Sequence, residues 1–159
     1  MEDKISEFNK IIKNSKNIVF FGGAGVSTES GIPDFRSKDG LYNQKYKYPP
    51  EEILSHSFFM NNTEEFYKFY REKMNSLKYE PNITHIKLAE LEKQGKLKAI
   101  RNADVMIVAG TSLTVYPASG LINFYKGNKL ILINRDATKY DSRANLVIND
   151  SLGKVFENI

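Results

Sequence analysis

At 159 residues, 41% of them hydrophobic and 12% aromatic, the chain is long enough for one domain with a real core. It has no cysteine, which excludes a disulfide framework and a thiolate metal site; its formal charge of +4 is spread along the sequence and does not point to nucleic acid. No apolar run reaches the roughly 20 residues of a membrane span. The mixed-charge start MEDKISEFNKIIKN lacks the apolar stretch of a signal peptide, so a cytoplasmic globular protein is expected.

In chain order, residues 3–14 carry Ile5, Phe8, Ile11 and Ile12 on one face and predict an amphipathic helix. A strand over 18–21 follows, then the turn Gly22-Gly23-Ala24-Gly25 and a short helix near 27–30. Residues 32–50, between Pro33 and Pro49-Pro50, read as a long loop with a turn at Lys38-Asp39-Gly40; loops of that length in compact domains are commonly functional. A helix is expected over 63–77, with Thr63 as N-cap and Phe66, Phe69, Tyr70, Met74 and Leu77 on a stripe. Another is expected over 82–94, with Ile86, Leu88 and Leu91 inward and Gly95 as its stop. The runs DVMIVAG (104–110) and KLILIN (129–134) are continuously apolar, as buried parallel strands are. A helix between them starts near Pro117 and ends at Gly127. NLVI (145–148) is a fourth strand, and 151–159 a closing helix capped by Asp150 or Ser151.

Each strand runs into small polar residues: Gly22 to Gly25, Gly110-Thr111-Ser112, Asn134-Arg135-Asp136 and Asn149-Asp150-Ser151. In an open parallel sheet such loops share one edge, where ligands bind. The pattern therefore predicts an α/β fold, a Rossmann-like doubly wound parallel sheet. A single domain over 1–159 is expected, with 32–80 as a cofactor loop and helical insertion. Gly23 and Gly25 would let a pyrophosphate approach the backbone at a helix start. A Gly-x-Gly without the third glycine is a weak sign, however, and a tight turn with no ligand competes with it. No G-x-x-x-x-G-K-[ST] occurs, which argues against a triphosphate loop.

The string GAGVSTESGIPDFR (23–36) resembles the sirtuin family, the NAD-dependent protein lysine deacylases. PNITHIKLAELEKQGKLKAI (81–100), AGTSLTVYPASGLI (109–122) and LILINRD (130–136) are similar to that family too, in its order. The resemblance covers nearly all of 5–159 and implies NAD as cofactor and an acyl-lysine peptide or protein as partner. It implies that Ala24 and Thr28 lie against the pyrophosphate, Phe35 over the nicotinamide end and Arg36 on phosphate oxygens. Asp34 would anchor the loop and the nicotinamide pocket, with Tyr42 beside it. Gly110, Thr111 and Ser112 would meet the adenosine-side ribose and phosphate. Asn134 and Arg135 would reach the adenine ribose, and Ser151 with Leu152 would flank the adenine. A loop wrapped around the nicotinamide ribose is chemically apt, because a glycosidic bond about to be cleaved must be kept from water. The plain alternative for Asp34 and Arg36 is a surface ion pair. Residues 42–48, YNQKYKY, read as a surface loop that could also border an acyl pocket.

The sequence departs from the family after Ile100. The T-Q-N-I-D-type segment, the His-Gly carrying the catalytic base, the four zinc cysteines and the substrate loop have no counterpart, and Ile100 runs directly into RNADVMIVAG. The gap shows without the family as well. LKAI reads as a strand and DVMIVAG as its neighbour, and parallel neighbours need a crossover of about a dozen residues. A deletion or an unrecorded segment is therefore expected between 100 and 101, with either a 3.8 Å Cα link or a clearly longer separation at that seam. Zinc is expected for the family, but the chain offers no ligands for it. His56 and His85 are the two histidines, and each reads as a packing or capping residue before a general base. Three readings follow: an NAD-dependent deacylase, a catalytically inactive NAD- or ADP-ribose-binding relative, and a Rossmann interaction module. Acyl preference and oligomeric state are not legible.

Overall fold

The computed structural model describes residues 2–98, 103–157 and 159. Four strands form one parallel sheet in the order β1 (Ile18–Gly22), β2 (Val105–Ala109), β3 (Lys129–Ile133), β4 (Leu146–Ile148). Register is regular, with Ile18 opposite Val105 and Val105 opposite Lys129. The apolar runs are buried on both faces, which is why they lack the alternation of a half-exposed strand. On one face Ile18, Val105, Ile107, Ile131, Ile133 and Ile148 pack with Phe8 and Ile12 of α1 (Glu2–Asn14), Leu91 of α5 (Ile83–Lys93), and Val155 and Phe156 of α6 (Leu152–Phe156). On the other face Val19, Met106, Val108, Leu130 and Leu132 meet Leu113 and Ile122, with Tyr125 and Tyr140 against them. The doubly wound reading holds. Among the described residues no helix is long and apolar enough to cross a membrane.

The chain divides into two compact units: Met1–Glu29 with Pro81–Ile159, which contains the sheet, and Ser30–Glu80. The second unit is built from α2 (Pro50–Ile53), α3 (His56–Asn61) and α4 (Thr63–Lys73) around Ile53, Phe58 and Phe69. Ser55 caps α3 by accepting the Phe58 amide at 3.1 Å. Tyr46 and Tyr48 are part of this core rather than a surface loop, with ring centroids 5.1 Å from Phe69 and 5.2 Å from Phe58.

Several sequence expectations shift. Asn62, not Thr63, stands before α4; the Thr63 hydroxyl instead donates back to the Phe59 carbonyl. α4 ends at Lys73, and Leu77, 94% exposed, lies beyond any core that could hold another turn. Ile86 is 47% exposed, so the inward face of α5 is Leu88 and Leu91. The stretches after the glycine turn and after Pro117 are 3-10 helices, Ala24–Ser30 and Ala118–Phe124. The closing helix stops at Phe156.

The junction 100–101 lies outside the described residues, but its flanks correct the expected pairing. Leu97 bridges in parallel to Ile18, on the side of β1 away from β2. The Ile18 amide donates to the Lys96 carbonyl at 2.7 Å, and Lys98 N donates to the Ile18 carbonyl at 2.8 Å. Leu97 is thus no neighbour of β2. Leu97 and Val105 stand level on the two sides of Ile18, at the amino end of the sheet.

Two interactions fix the two ends of the sheet. At the amino end the Asp104 carboxylate accepts the Lys16 and Asn17 amides at 3.1 and 3.2 Å. There too the Tyr125 hydroxyl lies 2.8 Å from the Asp104 carbonyl and accepts the Lys129 amide at 3.1 Å, so it joins the starts of β2 and β3. Burial pushes the Tyr125 phenol above its ordinary range, so the tie is present at neutral pH and is lost as pH rises past that raised value. Tyr125→Phe should lower unfolding stability by about 1 kcal/mol in chemical denaturation, leaving the half-buried Asp104 carbonyl without its donor while water reaches the exposed Lys129 amide. At the carboxyl end the glycine turn packs on Gly110. A Cβ on Gly25 would lie 2.7 Å from the Gly110 carbonyl oxygen, so Gly25→Ala should lower the midpoint of thermal unfolding by several degrees or prevent folding.

Candidate functional site

All four strands point their carboxyl ends at the same edge of the sheet, and the predicted loops gather there by topology. The glycine turn is shaped by backbone packing. Gly23 N donates to Ala109 O and Gly25 N to Gly110 O, both at 2.9 Å. The open faces of Gly23 and Gly25 are filled by Gly110 and Thr111, so both glycines are required by the neighbouring strand's loop. Val26 N is bonded to Gly23 O as well, which leaves fewer free amides at this turn than an α-helix start would offer. Thr28 turns its hydroxyl to the Gly25 carbonyl at 2.9 Å, keeping its oxygen lone pairs for an incoming donor.

Beside it, Gly110 has φ +60 and buried Leu113 has φ 54, an uncommon left-handed conformation for a leucine. The Thr111 hydroxyl accepts Leu113 N at 3.2 Å, and the exposed Ser112 hydroxyl lies 2.8 Å from that of Thr114. After β3 the Asn134 amide donates to Asp136 O at 2.9 Å, and Asn149 donates to the Asn134 carbonyl at 3.3 Å, joining the loops after β3 and β4. Arg135 is exposed. Leu152 is buried in the core, so only its backbone can face a ligand, whereas Ser151 is half-buried. Asp150 is held below the usual carboxylate range, first by the hydrogen bond from Lys154 and then by the Ser151 amide, so the rim keeps a negative charge.

One side chain, Glu29, escaped the sequence reading, whereas His85 is the capping residue expected of it. Glu29, at the end of the 3-10 helix, accepts the Gly153 amide at 2.6 Å and so ties the first loop to the start of α6. His85 is a structural hinge pin. Its Nδ1 accepts the Asn82 amide at 3.2 Å, and its Nε2 lies 3.3 Å from the Ser27 hydroxyl. Asn82 caps α5 through the His85 amide and donates its side-chain amide to Val26 O at 2.7 Å. Both ring nitrogens are engaged in positioning the glycine turn against α5. The signal was available in PNxxH, which has the form of a capping box with histidine in the place of glutamate.

Within the second unit, Asp34, Phe35, Arg36 and Tyr42 form one compact turn. Asp34 accepts the Ser37 amide at 2.9 Å, while Leu41 N and Tyr42 N return to the Asp34 and Phe35 carbonyls at 2.8 Å. Gly40 is obligatory here, since a Cβ would sit 2.7 Å from the Asp34 carboxylate. Phe35 and Tyr42 lie 5.4 Å apart, and the exposed Arg36 guanidinium stands 5.4 Å over the Tyr42 ring. Among the described residues the ion pairs are Glu72–Lys73, Lys87–Glu90 and Asp150–Lys154, and Asp34 does not pair with Arg36. No group of three metal-ligating side chains occurs among the described residues.

A model of the Sir2 family matches residues 23–101. An NAD-dependent protein deacetylase of Clostridium acetobutylicum is 42% identical over 240 aligned positions, which span 99% of this chain and 98% of that protein. One of Clostridium perfringens is 40% identical over 242 positions, spanning 100% and 99%. Both alignments are much longer than the 159 residues present, so a large internal stretch of each relative has no counterpart here. Among solved structures, a chain from work on the mechanism and regulation of Sir2 enzymes superposes with TM-score 0.87 at 27% identity, covering 98% of this chain and 96% of that one. A Sir2 homologue in complex with NAD superposes with TM-score 0.81 at 28% identity, covering 96% and 91%. By its fold, its strand-end loops and these likenesses, the chain belongs to the Sir2 family.

Proposed function

We propose that the chain binds NAD along the carboxyl edge of its sheet and serves the NAD-dependent deacylation of acyl-lysine proteins, passing the acyl group to ADP-ribose with release of nicotinamide. The observation that carries this reading is the convergence of four strand-end loops on one edge, in a chain whose relatives are NAD-dependent deacetylases. The residues fit such a cofactor. Hydroxyl and amide groups of Thr28, Thr111, Ser112, Asn134 and Ser151 suit ribose and phosphate, and no strand-end carboxylate takes the place of an anion at the glycine turn. NAD, when bound, supplies the cleavable nicotinamide–ribose bond and the ribose that accepts the acyl group. Within the second unit, the turn Asp34–Tyr42 carries an aromatic pair and an exposed guanidinium on a backbone already closed by hydrogen bonds. An acyl-lysine peptide as partner accords with a solved Sir2 structure that holds a deacetylated p53 peptide. The lack of cysteine in the sequence suits work in the cytoplasm.

A specific observation favours a second reading, an NAD-binding relative without turnover. Deacylation requires a base for a ribose hydroxyl. His85 spends Nδ1 on the α5 cap and holds Nε2 against the Ser27 hydroxyl, and His56 is an exposed residue at the start of α3 in the helical unit. Isothermal titration with NAD together with an acetyl-lysine peptide assay separates the two. Binding with turnover supports the deacylase, binding without turnover the second reading, and no heat at millimolar NAD would sink both.

Arg36→Ala should weaken NAD by about 1–2 kcal/mol, the low end for a charge-assisted phosphate contact because the group is exposed. Unchanged affinity would remove Arg36 from the site. Asn134→Ala should cost about 1 kcal/mol, read as weaker binding of adenosine-end analogues. That variant keeps the Asn149 tie, which uses the Asn134 main chain, so a loss of affinity would report the side chain itself.

A further inference from the structure

We propose that Glu29 caps α6 in place of Ser151 and so keeps the Ser151 hydroxyl for the adenosine end of NAD; the proposal rests on the NAD-binding reading above. Glu29 is then a positioning residue, acting through Ser151. A serine just before a helix ordinarily accepts one of the first amides of that helix. Ser151 holds that place with the extended backbone of a cap, φ −69 and ψ 144, yet its side chain makes no cap hydrogen bond. The Gly153 amide, second in the helix, goes instead to the Glu29 carboxylate at 2.6 Å. Both residues belong to the sheet unit.

Three features favour the carboxylate. An ionised acceptor makes a hydrogen bond roughly twice as strong as a neutral one, so it wins a shared N–H from a hydroxyl. Gly153 leaves the space: a Cβ there would lie 2.9 and 3.0 Å from the Glu29 carboxylate oxygens. Asp150, the nearer acid in sequence, is committed, with Oδ1 accepting the Ser151 amide at 2.8 Å and Oδ2 the Lys154 ammonium at 2.7 Å. Glu29 reaches across from the end of the 3-10 helix after the glycine turn, so one bond joins the first strand-end loop to the last. The Ser151 hydroxyl, half-buried on that last loop, keeps its donor and its lone pairs for a ribose hydroxyl or an adenine nitrogen. The two side chains are therefore rivals for one amide. Without the carboxylate, Ser151, whose backbone is already in place, turns back to cap its own helix.

The test is a double-substitution cycle on the full chain, read by calorimetric titration with NAD and by thermal unfolding without it. In the unaltered chain Ser151→Ala should weaken NAD about five-fold and leave the unfolding midpoint where it was, because Ser151 caps nothing. Glu29→Ala should weaken NAD by a similar factor, and Glu29→Gln, which keeps an acceptor oxygen, by clearly less. In the Glu29→Ala background Ser151→Ala should cost no further affinity but should now lower the midpoint by about 2–4 °C, the loss of a cap. Additive affinity losses, or a Ser151→Ala midpoint shift equal in the two backgrounds, would overturn the proposal. Unchanged affinity in Ser151→Ala would overturn it too, while leaving the NAD reading intact. An absence of heat with NAD in the unaltered chain would remove that reading and the proposal with it. If Glu29→Ala fails to fold, Ser151→Ala in the unaltered chain still decides, since a lowered midpoint there would mean that Ser151 already caps α6.

Discussion

The sheet unit depends on one approach of backbone to backbone, where the turn after β1 lies on the loop after β2. Gly25 donates to Gly110 O at 2.9 Å, and Cβ atoms on Gly23, Gly25 or Gly110 would all fall inside 3.0 Å of the facing chain. No side chain is tolerated on either side. The approach fixes β2 as the neighbour of β1, forces Gly110 to φ +60, and sends the chain on through Leu113 at φ 54. A strained leucine persists there because its side chain is fully enclosed in the core, which over-determines its backbone. The same approach explains a turn with only two spaced glycines: a third close contact, between helix and strand, is relieved where the helix is a narrow 3-10 stretch.

What was legible followed from strong periodic signals. The strands showed themselves as apolar runs with no alternation, because both faces are covered, and α1 through an inward stripe of Phe8 and Ile12. α2 and α3 were hidden because four and six residues are too few to display a period. α4 ran long on paper because Met74 and Leu77 continued its stripe, whereas the core of that unit ends around Phe69 and Met74. Packing decided the boundary, not propensity.

The site was legible in its residue types more than in its geometry. Gly23 and Gly25 were assigned to a ligand, yet their open faces are occupied by protein. For Asp34 and Arg36 the plain alternative to a cofactor role was an ion pair, yet Asp34 serves a local amide and Arg36 lies on an aromatic ring. In both cases a spacing can say which groups are near, but not which hydrogen bonds they complete. Buried backbone groups must find partners, and they take the nearest competent side chain before a ligand does. His85 shows the same priority, since its imidazole is drawn into a helix cap.

The order of the strands conceals a reversal that explains where the site lies. The connection from β2 to β3 runs through Ile122 and Tyr125 on one face of the sheet, whereas α5, which follows β1, packs through Leu91 on the opposite face. Crossovers of one hand that step in one direction must share a face, so connections on opposite faces must step in opposite directions. The Leu97 bridge supplies the missing direction, because α5 leads to the side of β1 away from β2. β1 is therefore the strand from which the chain departs both ways, and a doubly wound sheet opens its ligand crevice where such departures diverge. That point is the carboxyl end of β1, where Gly22 gives way to the glycine turn. On the far side Leu97 pairs with Ile18, so this crevice has β2 on one side and the chain leaving α5 on the other.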